Sequence, residues 1–567
     1  MKKKIIPVAV AACLIIIVAA IGVLLKLLDK YSYSREKADL YEYFGVTGGE
    51  ETAIVLNDEI VETKAVFKDG QCYLPIDFVN EQMNNHFYYD AVEGLVIFTT
   101  DYDKAVTQVG STDYTMADTF TSENYVLTTL SGDKAYLSLD YLKKFCNFSS
   151  VYFAEPNRIV LSTVWETEKH AQIKKDTQIR VLGGIKSEIL TEAAAGTDVK
   201  ILETMENWSK VKTADGYIGY VENKRLENEG EMTPAAVTDV PAPEYASIKR
   251  DGKICLVWDL ITNTTANGMV GERLANTQGV NVISPTWFML SDNAGNFVSL
   301  ADPAYVQEMH GRGIEVWAMV SDFSHINYED NLSREEIKEV LSITSRRTNL
   351  ITQLMDAVRS CGIDGINVDF ENINEEASAG YIQFLRELSI ECRKNGIVLS
   401  VDNGFHVNYD RAKQAEAVDY VIIMGYDEFV SVEDGGPGPC ASIDFVKRGI
   451  EKTLALVPKE KTINAIPFYT RLWTVTGDIG NKAYGMQEIE NILAENNVQT
   501  EWDEETCQYI ADYTVSDVGY SVWVEEKDSI TVKLNVMAGY QLAGVACWRL
   551  GQEKPDVWEP IALYLQQ

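Results

Sequence analysis

Apolar and polar positions along the 567-residue chain change their period several times, and each change marks a different kind of element. Residues 5–25 carry no charge and are mostly apolar; about 20 such residues span a bilayer as one helix. From about 53 to 164, short alternating runs return at a fixed offset. Tyr73-Leu74-Pro75-Ile76-Asp77-Phe78 reappears as Tyr136-Leu137-Ser138-Leu139-Asp140-Tyr141, and Val96-Ile97-Phe98-Thr99-Thr100 as Ile159-Val160-Leu161-Ser162-Thr163. Each copy reads as strand, short helix, then two strands, which predicts an α+β repeat module over about 50–165. Over 176–226 the stretches Ile179-Arg180-Val181, Trp208-Ser209-Lys210-Val211 and Gly216-Tyr217-Ile218-Gly219-Tyr220-Val221 alternate with turn residues, the pattern of a small all-β unit. Residues 227–247 are acidic, hold Pro234, Pro241 and Pro243, and show no apolar period. They read as an extended linker.

From about 250 to the end, apolar strands alternate with helical stretches, the signature of parallel β/α units. The strand candidates are 254–258, 280–285, 315–320, 365–370, 398–401, 420–424, 463–467 and 544–548. Eight strands close a TIM (β/α)8 barrel. Ser333 and Glu336 have capping-box spacing, and Gly396 stands where the helix after Glu371 should stop. The stretch from about 474 to 528 is too long for a simple connection and reads as an inserted α+β subdomain. The fold class is therefore multidomain: an N-terminal transmembrane helix (1–30 with its leading lysines), an α+β repeat module, a small all-β barrel, and the α/β barrel.

Charge and cysteine usage narrow the partners. A formal net charge of −35 disfavours nucleic acid and an anionic membrane surface. The nine cysteines are scattered without a C-x-x-C pair, and the five histidines lack metal-ligand spacing. Most cysteines read as buried thiols, and no metal or organic cofactor is expected. Lys2, Lys3 and Lys4 precede the apolar run, so its basic end should stay in the cytoplasm and everything beyond Lys26 outside. Val10-Ala11-Ala12-Cys13 has the look of a lipoprotein cleavage box, but little apolar sequence precedes it and much follows. An uncleaved single-pass anchor is the expectation; a cleaved signal and a secreted protein are the alternative.

The chemistry concentrates in Gly362-Ile363-Asp364-Gly365-Ile366-Asn367-Val368-Asp369-Phe370-Glu371-Asn372. On a strand, Asn367, Asp369 and Glu371 share one face while Ile366, Val368 and Phe370 share the other. Acids roughly 6–7 Å apart, twice the strand rise, push a pKa upward and keep a protonated acid available near neutral pH. This stretch resembles the signature of glycoside hydrolase family 18. The resemblance implies that Glu371 is the general acid/base and that Asp369 orients a substrate acetamido group. Position 367 is often aspartate in that family and is asparagine here, as in the branch resembling spore-cortex glucosaminidases.

Three more stretches resemble the same family at strand ends. Met424-Gly425-Tyr426-Asp427 implies that Tyr426 hydrogen-bonds the acetamido carbonyl and that Asp427 contacts the reacting sugar. Pro467-Phe468-Tyr469-Thr470-Arg471-Leu472-Trp473 matches a cleft segment, which puts Tyr469 and Arg471 beside the substrate together with Asn367. Trp548 ends the eighth strand, where the family places a tryptophan under the sugar. Trp258, Trp287 and Trp473 either stack on sugars or fill the core, and Asp322 either touches substrate or caps a loop. The resemblance implies substrate-assisted retaining hydrolysis of β-1,4-linked N-acetylhexosamine glycans, peptidoglycan first and chitin second, with a non-catalytic glycan-binding protein as the third reading. Residues 176–226 resemble a bacterial SH3-like domain, which implies a wall-binding module or a core-filling Trp208. The repeat module resembles the amino-terminal domain of copper amine oxidases, without a histidine cluster for copper. The repeat module reads as a spacer or docking module, or else a glycan or protein binder, and the anchor and SH3-like domain favour a cell-wall setting on the outer side of the cell membrane.

Overall fold

The computed structural model describes residues 5–241, 247–405, 407 and 409–567. Lys2, Lys3 and Lys4, on which the expected orientation rests, lie outside the described residues, as do Pro243 and Glu244 of the expected linker. Helix α1 (Ile5–Tyr31) carries the apolar run and continues six residues past it, through Lys26, Asp29 and Lys30. Its stretch Pro7–Tyr31 is long and apolar enough to cross a membrane, and none of the tested window is buried against protein. At 1.5 Å per residue such a helix exceeds the roughly 30 Å of a hydrocarbon core.

The chain divides into two units. One is Met1–Tyr89 with Thr107–Thr115 and Phe120–Ala242; the other is Asp90–Val106, Met116–Thr119 and Pro243–Gln567. Within the first, the repeat takes its expected form. Strand Gln71–Pro75 and helix Ile76–Gln82 recur as strand Lys134–Ser138 and helix Leu139–Leu142. The two strands pair antiparallel with the equivalent residues Leu74 and Leu137 directly opposite. Internal sequence symmetry has become a local two-fold arrangement. The second copy's hairpin, Ser149–Phe153 and Arg158–Ser162, joins the same sheet beside Glu51–Leu56, whereas the first copy's Leu95–Thr99 lies in a different sheet.

The SH3-like sheet is larger than expected. Its seven strands run Ile189–Ala193, Thr177–Arg180, Ile218–Glu222, Trp208–Thr213, Asp198–Thr204, Glu168–Ile173 and Leu226–Met232. Ile173, Ile179, Val199, Val211 and Val221 fill its core. Residues 227–232, expected as the start of the linker, form the edge strand instead, with Ile173 opposite Leu226 and Glu168 opposite Met232. Past Leu226 every side chain of that strand is exposed. Backbone pairing alone holds it, and an apolar period cannot reveal such a strand.

The second unit contains a closed barrel of eight parallel strands. They are β1 (Ile254–Asp259), β2 (Val282–Pro285), β3 (Glu315–Ser321), β4 (Gly365–Asp369), β5 (Val398–Asn403), β6 (Tyr420–Ile423), β7 (Thr462–Pro467) and β8 (Gly544–Trp548). Each pairs with the next, and β8 pairs with β1 to close the ring. All eight strand candidates are present. Each of the strands β1, β2, β4, β5, β6 and β7 is buried along its whole length, as parallel strands between a filled interior and a helical shell must be. Gly365 opens β4 because a Cβ there would stand 2.6 Å from the Trp317 ring of β3. Helices α2 (Arg334–Ser342), α3 (Thr344–Cys361) and α4 (Glu375–Asn395) flank β4. Ser333 and Glu336 form the expected capping box of α2. Gly396 closes α4 at φ 69°, a left-handed cap.

Helix α3 begins at Thr344 after Ile343, which offers no capping side chain. The cap comes from far away in sequence: Asp90 accepts the Thr344 backbone N–H at 2.6 Å and its hydroxyl at 2.7 Å. Two strands further on, Lys104 pairs with Glu387 of α4 at 2.9 Å, and Glu387 also holds Arg347 of α3 at 3.0 Å. The inserted subdomain starts earlier than expected, at strand Tyr469–Thr474. It forms a five-stranded sheet over its own core of Leu472, Ile489, Leu493, Val522 and Val524.

Candidate active site

Active groups of such barrels collect at the carboxyl ends of the strands, and β4 carries the acidic row there. Asn367 is wholly buried and reaches four side chains on three other strands. Its Oδ1 accepts from Trp258 Nε1 of β1 at 2.9 Å and from Ser284 Oγ of β2 at 3.1 Å. Its Nδ2 donates to Ser400 Oγ at 3.0 Å and to Asp402 Oδ1 at 2.8 Å, both on β5. Both lone pairs and both hydrogens of the amide are used, so Asn367 is a fully satisfied hub of the barrel interior. Trp258 is the donor to that hub and only 1% exposed. Trp287 and Trp473 are wholly buried, with indole N–H groups on Asn267 Oδ1 and the Gly438 carbonyl. None of the three offers a face for a sugar to stack on; they fill the core.

Asp369, two residues along the same face, closes β4 and is buried with Oδ1 unpartnered among the described residues. Burial above all, then the charges of Glu371, Asp402 and Asp322, holds its carboxyl well above the usual carboxylate range. Glu371 follows in the turn. As a residue it is exposed at the barrel mouth, but protein crowds its carboxyl. That desolvation, with the charges of Asp322 and Asp427, pushes its pKa up to about 7.

Asp322, read from the sequence as either a substrate contact or a loop cap, shapes the site. It follows β3 directly and is wholly buried. Its carboxylate accepts the backbone N–H groups of Glu371 at 3.0 Å and Asn372 at 2.8 Å. The turn that presents Glu371 is therefore pinned from the neighbouring strand. Burial raises the Asp322 pKa to about 6 against the lowering effect of those hydrogen bonds. Its place immediately after a strand, at the same barrel end as Glu371, was the available signal. Asp402 was missed altogether, because β5 was expected to end at Val401 and instead extends through Asn403.

Beyond β6, Tyr426 is buried, and its phenol is raised first by burial and then by Asp369, Asp402, Asp427 and Glu371. This hydroxyl thus shares one electrostatic environment with the acidic row. Asp427 adopts φ 60° and gathers the two cleft residues from the segment after β7. Tyr469 donates its hydroxyl at 2.5 Å, and Arg471 donates Nε at 3.1 Å and Nη2 at 2.6 Å. The three expected sugar contacts are bound to one another. Trp548, half-buried at the end of β8, lies with its ring 5.8 Å from that of Trp258 and 6.4 Å from that of His325. The structure therefore brings Asn367, Asp369, Glu371 and Tyr426 into one cluster with Asp322 and Asp402, and Asp427, Tyr469 and Arg471 into a second. Among the described residues no group of histidine, cysteine and acidic side chains is arranged to hold a metal ion.

Chemically, the first cluster places an acid that is partly protonated near neutral pH beside a buried carboxyl and a phenol. An acid poised near the working pH donates and accepts protons most effectively.

Comparison with known proteins agrees with this geometry. Residues 328–553 match the model of glycosyl hydrolases family 18, residues 184–226 that of the bacterial dipeptidyl-peptidase Sh3 domain, and residues 55–159 that of the copper amine oxidase N-terminal domain. The glycosylase YdhD of Bacillus subtilis (strain 168) is 27% identical over 267 residues, 44% of this chain and 61% of that protein. The cortical fragment-lytic enzyme of the same organism is 26% identical over 248 residues, 41% of this chain and 57% of that protein. The chain thus spans about three-fifths of the length of these two relatives. The crystal structure of the Bacillus cereus spore cortex-lytic enzyme SleL has the same barrel fold, with a TM-score of 0.50 at 20% identity over 55% of this chain and 74% of that one. The barrel with the acidic row on its fourth strand thus matches the family 18 glycosyl hydrolases over residues 328–553, behind segments that match an SH3 domain and a copper amine oxidase N-terminal domain.

Proposed function

We propose that the protein is a glycosidase that hydrolyses β-1,4-linked N-acetylhexosamine glycans, peptidoglycan in particular, by retaining, substrate-assisted catalysis. The observation that carries this reading is the Glu371 carboxyl, with a pKa of about 7 at the end of β4 beside Asp369 and Tyr426. Protonated Glu371 gives its proton to the glycosidic oxygen as the bond to the anomeric carbon breaks. The substrate's acetamido oxygen closes onto that carbon, giving an oxazolinium ion whose positive charge is held by Asp369 and whose parent carbonyl is held by Tyr426. Water then opens the ring and leaves its proton on Glu371, which returns to its starting state. Asp427, Tyr469, Arg471 and Trp548 are assigned to sugar binding. The choice of peptidoglycan is supported by a relative named as a cortical fragment-lytic enzyme and by the SH3 domain. Full-length protein incubated with peptidoglycan and, separately, with chitin oligosaccharides should release N-acetylhexosamine-ended fragments from peptidoglycan, read by mass spectrometry. Cleavage of chitin chains alone would make it a chitinase. New reducing ends from neither substrate, with glycan still retained, would replace the enzyme by a glycan-binding protein.

The cellular setting follows from α1. An unburied apolar helix of this length supports a single-pass anchor with the domains outside the membrane, facing the wall. Protease added to intact protoplasts should then degrade the barrel domain while a cytoplasmic control survives. Recovery of the whole protein in the culture fluid, shortened at its N-terminus, would make α1 a cleaved signal.

A further inference from the structure

Strands β4 and β5 run parallel with Val368 opposite Val401. The next position along therefore sets Asp369 beside Asp402, and in-register residues of neighbouring strands face the same side. Asp402 is 1% exposed and Asp369 is 4% exposed. Asp402 Oδ1 is taken by the Asn367 amide at 2.8 Å, which leaves Oδ2; that oxygen and Asp369 Oδ1 are both buried without a hydrogen-bond partner among the described residues. Two ionised carboxylates side by side in a dry site repel one another and leave these oxygens unsolvated, so such a pair retains a proton.

Among the described residues, the groups facing the pair do nothing to relieve it. Glu371 stands in the turn after β4, Asp322 at the end of β3, Tyr426 beyond β6 and Tyr381 on α4. Tyr409, before the helix Arg411–Ala417, adds its phenol from that side, with its hydroxyl donated to the Phe370 carbonyl at 2.8 Å. All are acids or phenols. Asn367, the remaining neighbour on the lumen face of β4, is an amide and cannot take up or release a proton.

We infer that Asp402 is a positioning residue that shares one proton with Asp369, a task the amide at position 367 cannot perform. The inference rests on the glycosidase reading above. The proton passes between a carboxyl oxygen of Asp369 and one of Asp402, and nothing else is gained or lost. When positive charge grows on the substrate's acetamido group, the proton resides on Asp402 and the negative charge on Asp369. When the site is empty, the pair stays singly charged. Asn367 holds Asp402 in place through its Nδ2 hydrogen bond.

The test uses three variants of the full-length protein. Asp402→Asn keeps shape and the acceptor for Asn367 while removing the proton site. It should lower kcat about tenfold or more with KM little changed. It should also shift the pH profile toward acid, because Asp369 loses a neighbouring negative charge. Asn367→Asp adds a third carboxyl to the buried row and removes the amide that holds Asp402 in place, so it should also lose activity. The double exchange Asn367→Asp/Asp402→Asn restores one amide and one carboxyl, and should recover most of the parent's kcat. A parent-like pH profile in Asp402→Asn, or a double variant no better than either single one, would overturn the shared proton. Infrared spectroscopy provides a readout without turnover. A buried carboxylic acid band distinct from that of Glu371 should persist well above pH 7 in the parent and be lost in Asp402→Asn. A parent that shows the band but cleaves no glycan would refute the glycosidase reading and leave the proton pair standing. A parent without the band would refute the pair alone.

Discussion

Glu371→Gln is expected to lower kcat by about 10²–10⁴-fold while glycan affinity stays close to that of the parent. Glutamine keeps the length and planarity of the side chain, and the turn that carries it is pinned through backbone N–H groups to Asp322, which the substitution leaves in place. What is lost is the proton. Kinetics on a soluble oligosaccharide, with binding followed separately by calorimetry, separate the two effects. The pH dependence follows from the same group. Desolvation, with the charges of Asp322 and Asp427, puts the Glu371 pKa at about 7. The donating form is therefore present below about pH 7 and is lost above it, so the limb of declining activity lies on the alkaline side. The variant's residual activity should lack that limb. Equal kcat in parent and variant, on a substrate the parent cleaves, would remove Glu371 from the mechanism.

The second large effect concerns stability. Glu387→Gln is expected to destabilise the barrel by about 3–5 kcal/mol, the usual result of stripping one partner from a buried ion pair. Glu387 is 3% exposed and faces wholly buried Arg347 at 3.0 Å, Lys104 at 2.9 Å and the Gln383 amide at 2.9 Å. Burial works to raise its pKa, but Arg347 and Lys104 together hold it below the usual carboxylate value. By linkage, a depressed folded pKa gives stability that is full above the unfolded value and lost as pH falls through the folded one. The glutamine variant should thus differ most from the parent near neutral pH and converge with it in acid. Lys104→Met keeps the Arg347 pair and removes only the half-exposed partner, so it should cost about 0–1 kcal/mol. The barrel's urea transition measures both. A shift of less than about 0.5 kcal/mol in Glu387→Gln would mean that water reaches Arg347 and compensates for the loss.

The sequence revealed much of the fold because most barrel strands are continuous apolar runs bounded by turn residues. The site was legible where its residues share one strand. Asn367, Asp369 and Glu371 announce themselves by alternation, and Tyr426, Asp427 and Trp548 by their place at strand ends. It was not legible where the clustering of side chains depends on register between strands. That Asp402 stands beside Asp369 follows from the β4–β5 pairing, which no single-strand pattern encodes. The tryptophans stayed undecided in the sequence for a related reason. An indole at a strand end faces either the cleft or the protein interior, and only the partners of Trp258, Trp287 and Trp473 decide for the interior. The edge strand Leu226–Met232 carries no apolar signal because nothing beyond Leu226 is buried.

Asp90, which caps α3 across 254 positions of chain, bears on how such proteins are assembled over evolutionary time. Recombination that shuffles modules between genes favours cuts in proline-rich linkers, and residues 233–247 offer an obvious one. A barrel transplanted by that cut would arrive with Thr344 uncapped, Arg347 and Glu387 deprived of Lys104, and the whole hairpin Asp90–Val106 left in the donor gene. The barrel and the segment 90–106 are therefore expected to be inherited as one piece, with newly acquired modules inserted around them rather than exchanged at the linker.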